Sequence, residues 1–556
     1  MPVFPWLANY DSGIPPHLEY PRVPVFDFLD RGARRSAKRT CIIFKDKVYT
    51  YHQVTNLSDR IAASLLALGL RRGDRVGLFM PNSPEFILAY FGILKAGGVV
   101  VAINPLYTPP EIARQARDAG LEILIAAGTL YERIQKTRAE SGVRLVIVTG
   151  EVVPQTGDLH FDMLTAEHGG TVVRSKKSSA VSVLSAVKES ILPDDVALFQ
   201  YTGGTTGVPK AAVARHRNLV TNALQFKTWM STLEEEQEVV LLALPIFHIY
   251  GMVCGMLLGL ALRAALVVIP DPRDISGLLA AIQAHRVSYF PAAPTLYNAI
   301  NNHPEVIAGK VDLTSVKACI SGSAPLMKET KEKFERLTGG RICEGYGLSE
   351  APTATHCNPL RGENRIGSVG LPLPDVDARI INIEDGRTEM PVGEIGELVL
   401  RSPQVMKEYH RMPEETANVL RTLAGGGEPW LFTGDIARMD AQGYFYIVDR
   451  KKELIKVSGY QVWPREVEEA ISSHPKVLEV GAAGIPDAYR GETVKAWIVP
   501  RNGENLTSDE IKGWCQDRLA PYKIPTQIEF RSELPKSIVG KILRRELVRQ
   551  HLEKEN

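Results

Sequence analysis

The chain has 556 residues, more than one hydrophobic core fills, since cores stop growing near ~250–300 residues; two or more domains are expected. With 65 basic against 64 acidic side chains, 44% hydrophobic and 23% charged residues, it reads as an ordinary globular protein. No basic excess or run is present to meet a polyanion, which excludes nucleic acid as a partner.

The first element, MPVFPWLANYDSGIPPHLEYP, lacks the basic and then apolar pattern of a secretory leader and is read as an irregular lead-in. From residue 25 to 187 helical and strand patterns alternate: DRIAASLLALGL, RVGLFM, PEFILAYFGILKAG, VVVAIN. Such alternation predicts a parallel sheet covered by helices. The rhythm resumes after Asp194 with VALFQYT, VVLLALP, ALVVIP, VSYFPAAP and VKACISGS, which predicts a second α/β unit.

The run from Met252 to Pro270 approaches the ~20 apolar residues of a membrane span. Arg263 near its centre would cost at least ~2.5 kcal/mol in lipid, and VVI at its end is strand-like, so a buried helix and strand are predicted. Past Gly370, short apolar runs between turn residues predict antiparallel strands. After Asp449 a charged DRKKE segment precedes an independent pattern, so domains are placed at 1–449 and 450–556. Cys41, Cys254, Cys319, Cys343, Cys357 and Cys515 form no C-x-x-C pair and no zinc spacing. A reducing, cytoplasmic setting is the simple expectation.

Residues 201–210, YTGGTTGVPK, follow the strand VALFQ and precede the helical HRNLVTNALQF. Gly203, Gly204 and Gly207 let backbone N–H groups approach an anion. Thr202, Thr205 and Thr206 add hydroxyls, and Lys210 adds charge. Together they suit a phosphate. The string is not a P-loop, which needs Lys directly after Gly and a hydroxyl next, where Pro209, Lys210 and Ala211 stand.

These residues, with TYHQV, LKAGGVVVAINPLYTPPE, EGYGLSE and PKSIVGK, resemble the adenylate-forming superfamily of acyl-CoA synthetases, firefly-type luciferases and peptide-synthetase adenylation domains. The resemblance runs through most of the chain. It implies an α/β fold: a large N-terminal domain of two α/β subdomains plus a β-barrel, and a small mobile α+β C-terminal domain. Gly203, Val208 and Ala211 depart from the usual Ser, Lys and Gly of the loop, which implies altered ATP affinity rather than a dead site.

Residue by residue, the resemblance implies nucleotide contacts from the 202–207 loop, from Lys210, from Ser323, Ala324 and Pro325, and from Glu344, Gly345, Tyr346 and Gly347. Tyr346 would stack on adenine, Ser349 would bond the α-phosphate and Glu350 would hold Mg2+. Asp435 and Arg450 would take the ribose. His248, Tyr250, Gly251, Met252 and Gly322 would line the acyl site, and Ser458, Gly459 and Gln461 the coenzyme A channel. Lys541 would bridge the substrate carboxylate and the α-phosphate. Lys452 would be the hinge about which the small domain turns, bringing in Lys456 for thioester formation. Catalytic roles thus fall on Lys541, His248, Thr202, Glu350 and Lys456.

The activity so implied is ATP-dependent ligation of a small-molecule carboxylic acid to coenzyme A, with the texture of medium- or long-chain fatty acyl-CoA synthetases. An aryl-acid ligase, an acyl-AMP ligase loading a carrier protein, and a non-catalytic acyl or nucleotide binder stand as alternatives. No transmembrane span is expected; peripheral membrane contact and oligomerisation are left open.

Overall fold

The structure, a computed structural model, describes residues 4–166, 177–202, 209–423, 426–458, 460–487, 489–537 and 540–555. Its contacts divide the chain into two compact units: Trp6–Asp377 with Arg401–Leu420, and Met1–Pro5 with Ala378–Leu400 and Arg421–Asn556.

The larger unit holds two sheets. The first has seven strands, in the order Leu159–His160, Leu145–Thr149, Ile123–Ala127, Arg75–Phe79, Val99–Ala102, Val196–Thr202 and Lys210–Arg215. All of its neighbours are parallel except the last pair. Val99–Ala102, VVVA, is buried throughout, as a strand covered on both faces must be. Helix Tyr51–Ala67 starts at a capping box of Thr50 and Gln53, and Pro84–Lys95 starts at Ser83 with Pro at its first position.

The second sheet has nine strands, in the order Leu371–Pro372, Ala351–Cys357, Arg341–Leu348, Ala318–Ser321, Tyr289–Ala292, Val239–Leu242, Ala265–Val268, Thr40–Phe44 and Lys47–Thr50. Six consecutive strands, from Arg341–Leu348 to Thr40–Phe44, run parallel. The apolar run around Met256 forms a buried π-helical turn, Gly251–Leu257, a helical turn, Leu258–Ala261, and the strand Ala265–Val268. Arg263 is taken up by Glu236 at 2.7 Å and by Glu235. No helix among the described residues is long and apolar enough to cross a membrane.

The smaller unit carries a five-stranded sheet of Asp377–Ile381, Gly396–Arg401, Trp430–Met439 and Leu420–Arg421, with Phe445–Arg450 beside Trp430–Met439. A further five-stranded sheet follows, built on the long antiparallel pair Val477–Asp487 and Gly491–Pro500. Helices Pro464–Ser472 and Ser508–Gln516 bury Val467, Ile471, Ile511 and Cys515 in its core. Leu547 of Arg544–Glu555 packs with Trp497.

Candidate active site

In the larger unit, four neighbouring parallel strands, Val239–Leu242, Tyr289–Ala292, Ala318–Ser321 and Arg341–Leu348, end side by side. Their carboxyl ends lead into residues 244–251, 293–297, 322–326 and 345–350. Ligands of open parallel sheets bind at such ends. The topology therefore gathers the predicted acyl residues and the predicted purine residues on one edge.

The bend that carries His248 is pinned from outside its own sheet. Asn82, buried after strand Arg75–Phe79, donates to the Leu242 and Leu244 carbonyls at 3.1 and 2.9 Å and accepts from Ile246 N at 2.8 Å. His248 is half-buried, and its Nδ1 accepts from Tyr250 N at 3.3 Å, which leaves the ring proton on Nε2. Burial pushes its pKa down to about 4, so the ring is neutral near pH 7. A Cβ on Gly251 would stand 2.4 Å from the Pro245 carbonyl oxygen; only glycine fits that close turn.

Tyr250 is buried, with its hydroxyl between the carbonyls of Ala292 at 3.1 Å and Ile320 at 2.9 Å, and its ring borders Gly322. Met252 is fully buried. Ser323 adopts φ +74° just past the strand end, followed by Ala324 and Pro325.

Glu344 is buried, its Oε1 3.4 Å from Leu326 N, and its backbone carbonyl accepts from Asn358. Past it the strand turns from a parallel neighbour to an antiparallel one, Ala351–Cys357. Gly345 and Gly347 lie in that pairing, and a Cβ on Gly347 would be 1.6 Å from the Thr353 oxygen. Tyr346 is half-buried, edge-on to the His356 ring at 5.9 Å. Ser349 and Glu350 form the turn that follows.

Glu350 Oε1 accepts from the Tyr409 hydroxyl at 2.6 Å, and its backbone oxygen accepts from Met406 N at 2.7 Å. Lys210 pairs with Glu415 and lies 5.4 Å above the Tyr409 ring. Thr202 stands opposite Lys210, its Oγ1 3.4 Å from the Lys210 carbonyl. Sequence reasoning ran from the loop straight to the helix at His216; the structure inserts the strand Lys210–Arg215, antiparallel to Val196–Thr202. Gly203, Gly204, Thr205, Thr206, Gly207 and Val208 lie outside the described residues.

No group of three or more His, Cys, Asp or Glu side chains suited to a metal occurs among the described residues. Glu350 offers one carboxylate, which fits a divalent cation that takes its other oxygens from a nucleotide's phosphates and from water.

In the smaller unit, Asp435 and Arg450 face each other across an antiparallel pair, with the Arg450 Nε 3.1 Å from the Asp435 carboxylate. Asp435 is buried, and its amide donates to Thr433 Oγ1 at 3.1 Å. Lys452 is exposed in the turn Lys451–Glu453. Beyond it, Lys456 and Gln461, both exposed, oppose each other on hairpin strands whose tip carries Ser458, at φ +50°. Gly459 is outside the described residues.

Ser537 N donates to the Lys541 carbonyl at 2.7 Å, and the Lys541 amide donates to Ser537 Oγ at 3.1 Å. The residue is exposed; protein mass around the ammonium, then Arg450, lower its pKa, and water at the open side screens the effect. Sequence reasoning missed Asn82, Tyr409 and Glu415. Each reaches the site from far along the chain, and no motif marks it.

The AMP-binding enzyme family matches residues 29–410, and its C-terminal domain matches residues 466–541. The chain belongs to this family. Over 99% of its length it is 41% identical to a long-chain-fatty-acid–CoA ligase of Bacillus subtilis, covering 98% of that protein. It is 36% identical to the Escherichia coli O6:H1 long-chain-fatty-acid–CoA ligase, with 98% and 97% of the two chains covered. Among solved structures it resembles the anthranilate CoA ligase AuaEII in complex with anthranoyl-AMP, at TM-score 0.84 and 29% identity, covering 97% of this chain and 98% of that one. That structure shares the α/β fold of the chain, with a large N-terminal and a smaller C-terminal part, over nearly its whole length.

Proposed function

We propose that the chain joins a carboxylic acid to coenzyme A in two steps at the expense of ATP, and that the acid is a medium- or long-chain fatty acid. The observation that carries this is the shared strand edge: His248, the apolar turn Gly251–Leu257 and Glu344–Glu350 all leave the carboxyl ends of neighbouring strands. In the first step a carboxylate oxygen attacks the α-phosphorus and pyrophosphate leaves. In the second the thiol sulfur attacks the acyl carbon and AMP leaves. Adenylation is needed because a carboxylate repels the thiolate and offers no leaving group.

Tyr346 stacks on adenine beside 322–325, Asp435 and Arg450 hold the ribose, and Ser349 bonds the α-phosphate. Thr202, Gly203, Gly204, Thr205, Thr206, Gly207 and Lys210 cradle the distal phosphates. Glu350 would hold Mg2+, which when bound neutralises triphosphate charge. His248 orients the acid. Lys541 stabilises the charge that moves onto pyrophosphate. The chain divides at 449/450, and residues 450–556 turn at Lys452 after adenylation, so that Lys456, Ser458, Gly459 and Gln461 serve the thiol. Such an enzyme works in the cytoplasm, where ATP and coenzyme A are supplied.

The test separates the half-reactions. Lys541→Ala should lose acid-dependent pyrophosphate exchange by two orders of magnitude or more, ~3 kcal/mol of charge stabilisation, yet still convert preformed acyl-adenylate and coenzyme A to thioester. Lys456→Ala should do the reverse. Equal loss in both assays by both variants would overturn the assignment.

A further inference from the structure

Three carboxylates converge on one guanidinium. Arg544, three residues past Lys541, opens the helix Arg544–Glu555. Its Nη1 lies 2.8 Å from Asp449 Oδ1 and also contacts Glu453; its Nε and Nη2 take the two oxygens of Glu468 at 2.8 and 2.5 Å. Arg544 is 15% exposed and Asp449 3%, so water screens these pairs weakly. Glu468 also accepts from Ala482 N at 2.8 Å.

The partners differ in where they stand in the chain. Glu453, Glu468 and Arg544 follow Lys452; Asp449 precedes it. Both Asp449 oxygens are engaged beyond that residue: Oδ1 by Arg544, and Oδ2 by the amide of Arg465 at 2.6 Å, in the first turn of helix Pro464–Ser472. A turn of the backbone at Lys452 separates Asp449 from both groups, while the pairs of Arg544 with Glu453 and Glu468 travel together.

We infer that Asp449 and Arg544 form a latch across the proposed pivot, holding Lys541 in the arrangement seen here and releasing when the chain turns for thioester formation. Asp449 and Arg544 are then positioning residues for the first half-reaction. This rests on the alternation described under Proposed function.

The informative variant is Asp449→Asn. Its amide oxygen still accepts from Arg465 N, but its NH2 faces the guanidinium and the Arg450 amide, which Asp449 Oδ1 accepts at 2.8 Å, so the charge pair and that local bond are lost with little change in volume. Expected is a roughly ten-fold fall in acid-dependent pyrophosphate exchange, as for loss of a charge-assisted bond. Thioester formation from preformed acyl-adenylate should be unchanged or faster. Arg544→Lys, which keeps the charge and loses the fork, should shift the same way by less. The thermal unfolding midpoint establishes that each variant is folded.

If Lys541→Ala and Lys456→Ala split the half-reactions while Asp449→Asn lowers both equally or neither, the latch is overturned and the alternation stands. If neither lysine variant splits them, the alternation fails and takes the latch with it.

Discussion

Tyr409→Phe removes one hydroxyl, the donor held 2.6 Å from Glu350. Burial and the neighbouring Glu350 raise the Tyr409 pKa, so the phenol keeps its proton and can only donate to the carboxylate. Without it, Glu350 loses a bond of about 1.5–3 kcal/mol that fixes the carboxylate proposed to hold the cation. The expected outcome is a five- to fifty-fold rise in the magnesium concentration needed for half-maximal activity, with the acid KM unchanged; an unchanged magnesium titration would separate Tyr409 from the metal. EGYGLSE was legible because its residues are consecutive. The partner of Glu350 was not, because it stands 59 positions along the chain and MKEYHRMPEE reads as an ordinary polar loop. Asn82 was hidden in the same way, its carbonyl partners 160 and 162 residues away.

At the scale of elements, HRNLVTNALQF reads as a helix and is one, His216–Trp229, but its buried face was not legible. Polar residues are ordinarily assigned to solvent, whereas His216, Asn218, Asn222 and Gln225 are all buried. They are satisfied by backbone far along the chain: Asn218 by Pro403 and Val405, Asn222 by Thr353 and Ala354, and Gln225 by Pro374. His216 Nδ1 accepts from Val25 N at 3.2 Å, so a proton there would cost this bond. Burial lowers its pKa from 6.5 to about 4, against a weaker opposing pull from Asp195. The unfolded chain binds a proton at this site below pH 6.5, and the folded chain does so only near 4. Stability is therefore complete above 6.5 and is lost as pH falls towards 4, by about 3 kcal/mol from this histidine. His216→Gln, which retains an acceptor for Val25 N, should show a flatter fall in unfolding midpoint across that window. A parallel fall in both proteins would place the acid sensitivity elsewhere, His356 being a further depressed histidine.

At the scale of the whole molecule, helix and strand alternation made both parallel sheets legible, but not which strand ends are neighbours. That order brings 244–251 beside 293–297 and 322–326, and the proposed acyl site depends on it. The turn Gly251–Leu257 is buried throughout and carries no charge. The hydroxyls of Tyr250 and Tyr297 are spent on the carbonyls of Ala292, Ile320 and Phe290. These segments therefore present apolar surface and no partner for a second carboxylate or an amine. Each methylene buried against such a wall contributes ~0.8 kcal/mol, so kcat/KM for saturated acids should climb about four-fold per carbon until the space is filled, then level or fall. Amino acids should be rejected, because an ammonium buried unpaired costs several kcal/mol. The measurement is kcat/KM across saturated acids of increasing length beside benzoate, coumarate and phenylalanine. A flat series with a preference for an aromatic acid would reassign the substrate to the aryl class, whose member with bound anthranoyl-AMP shares this fold, and leave the adenylate chemistry intact.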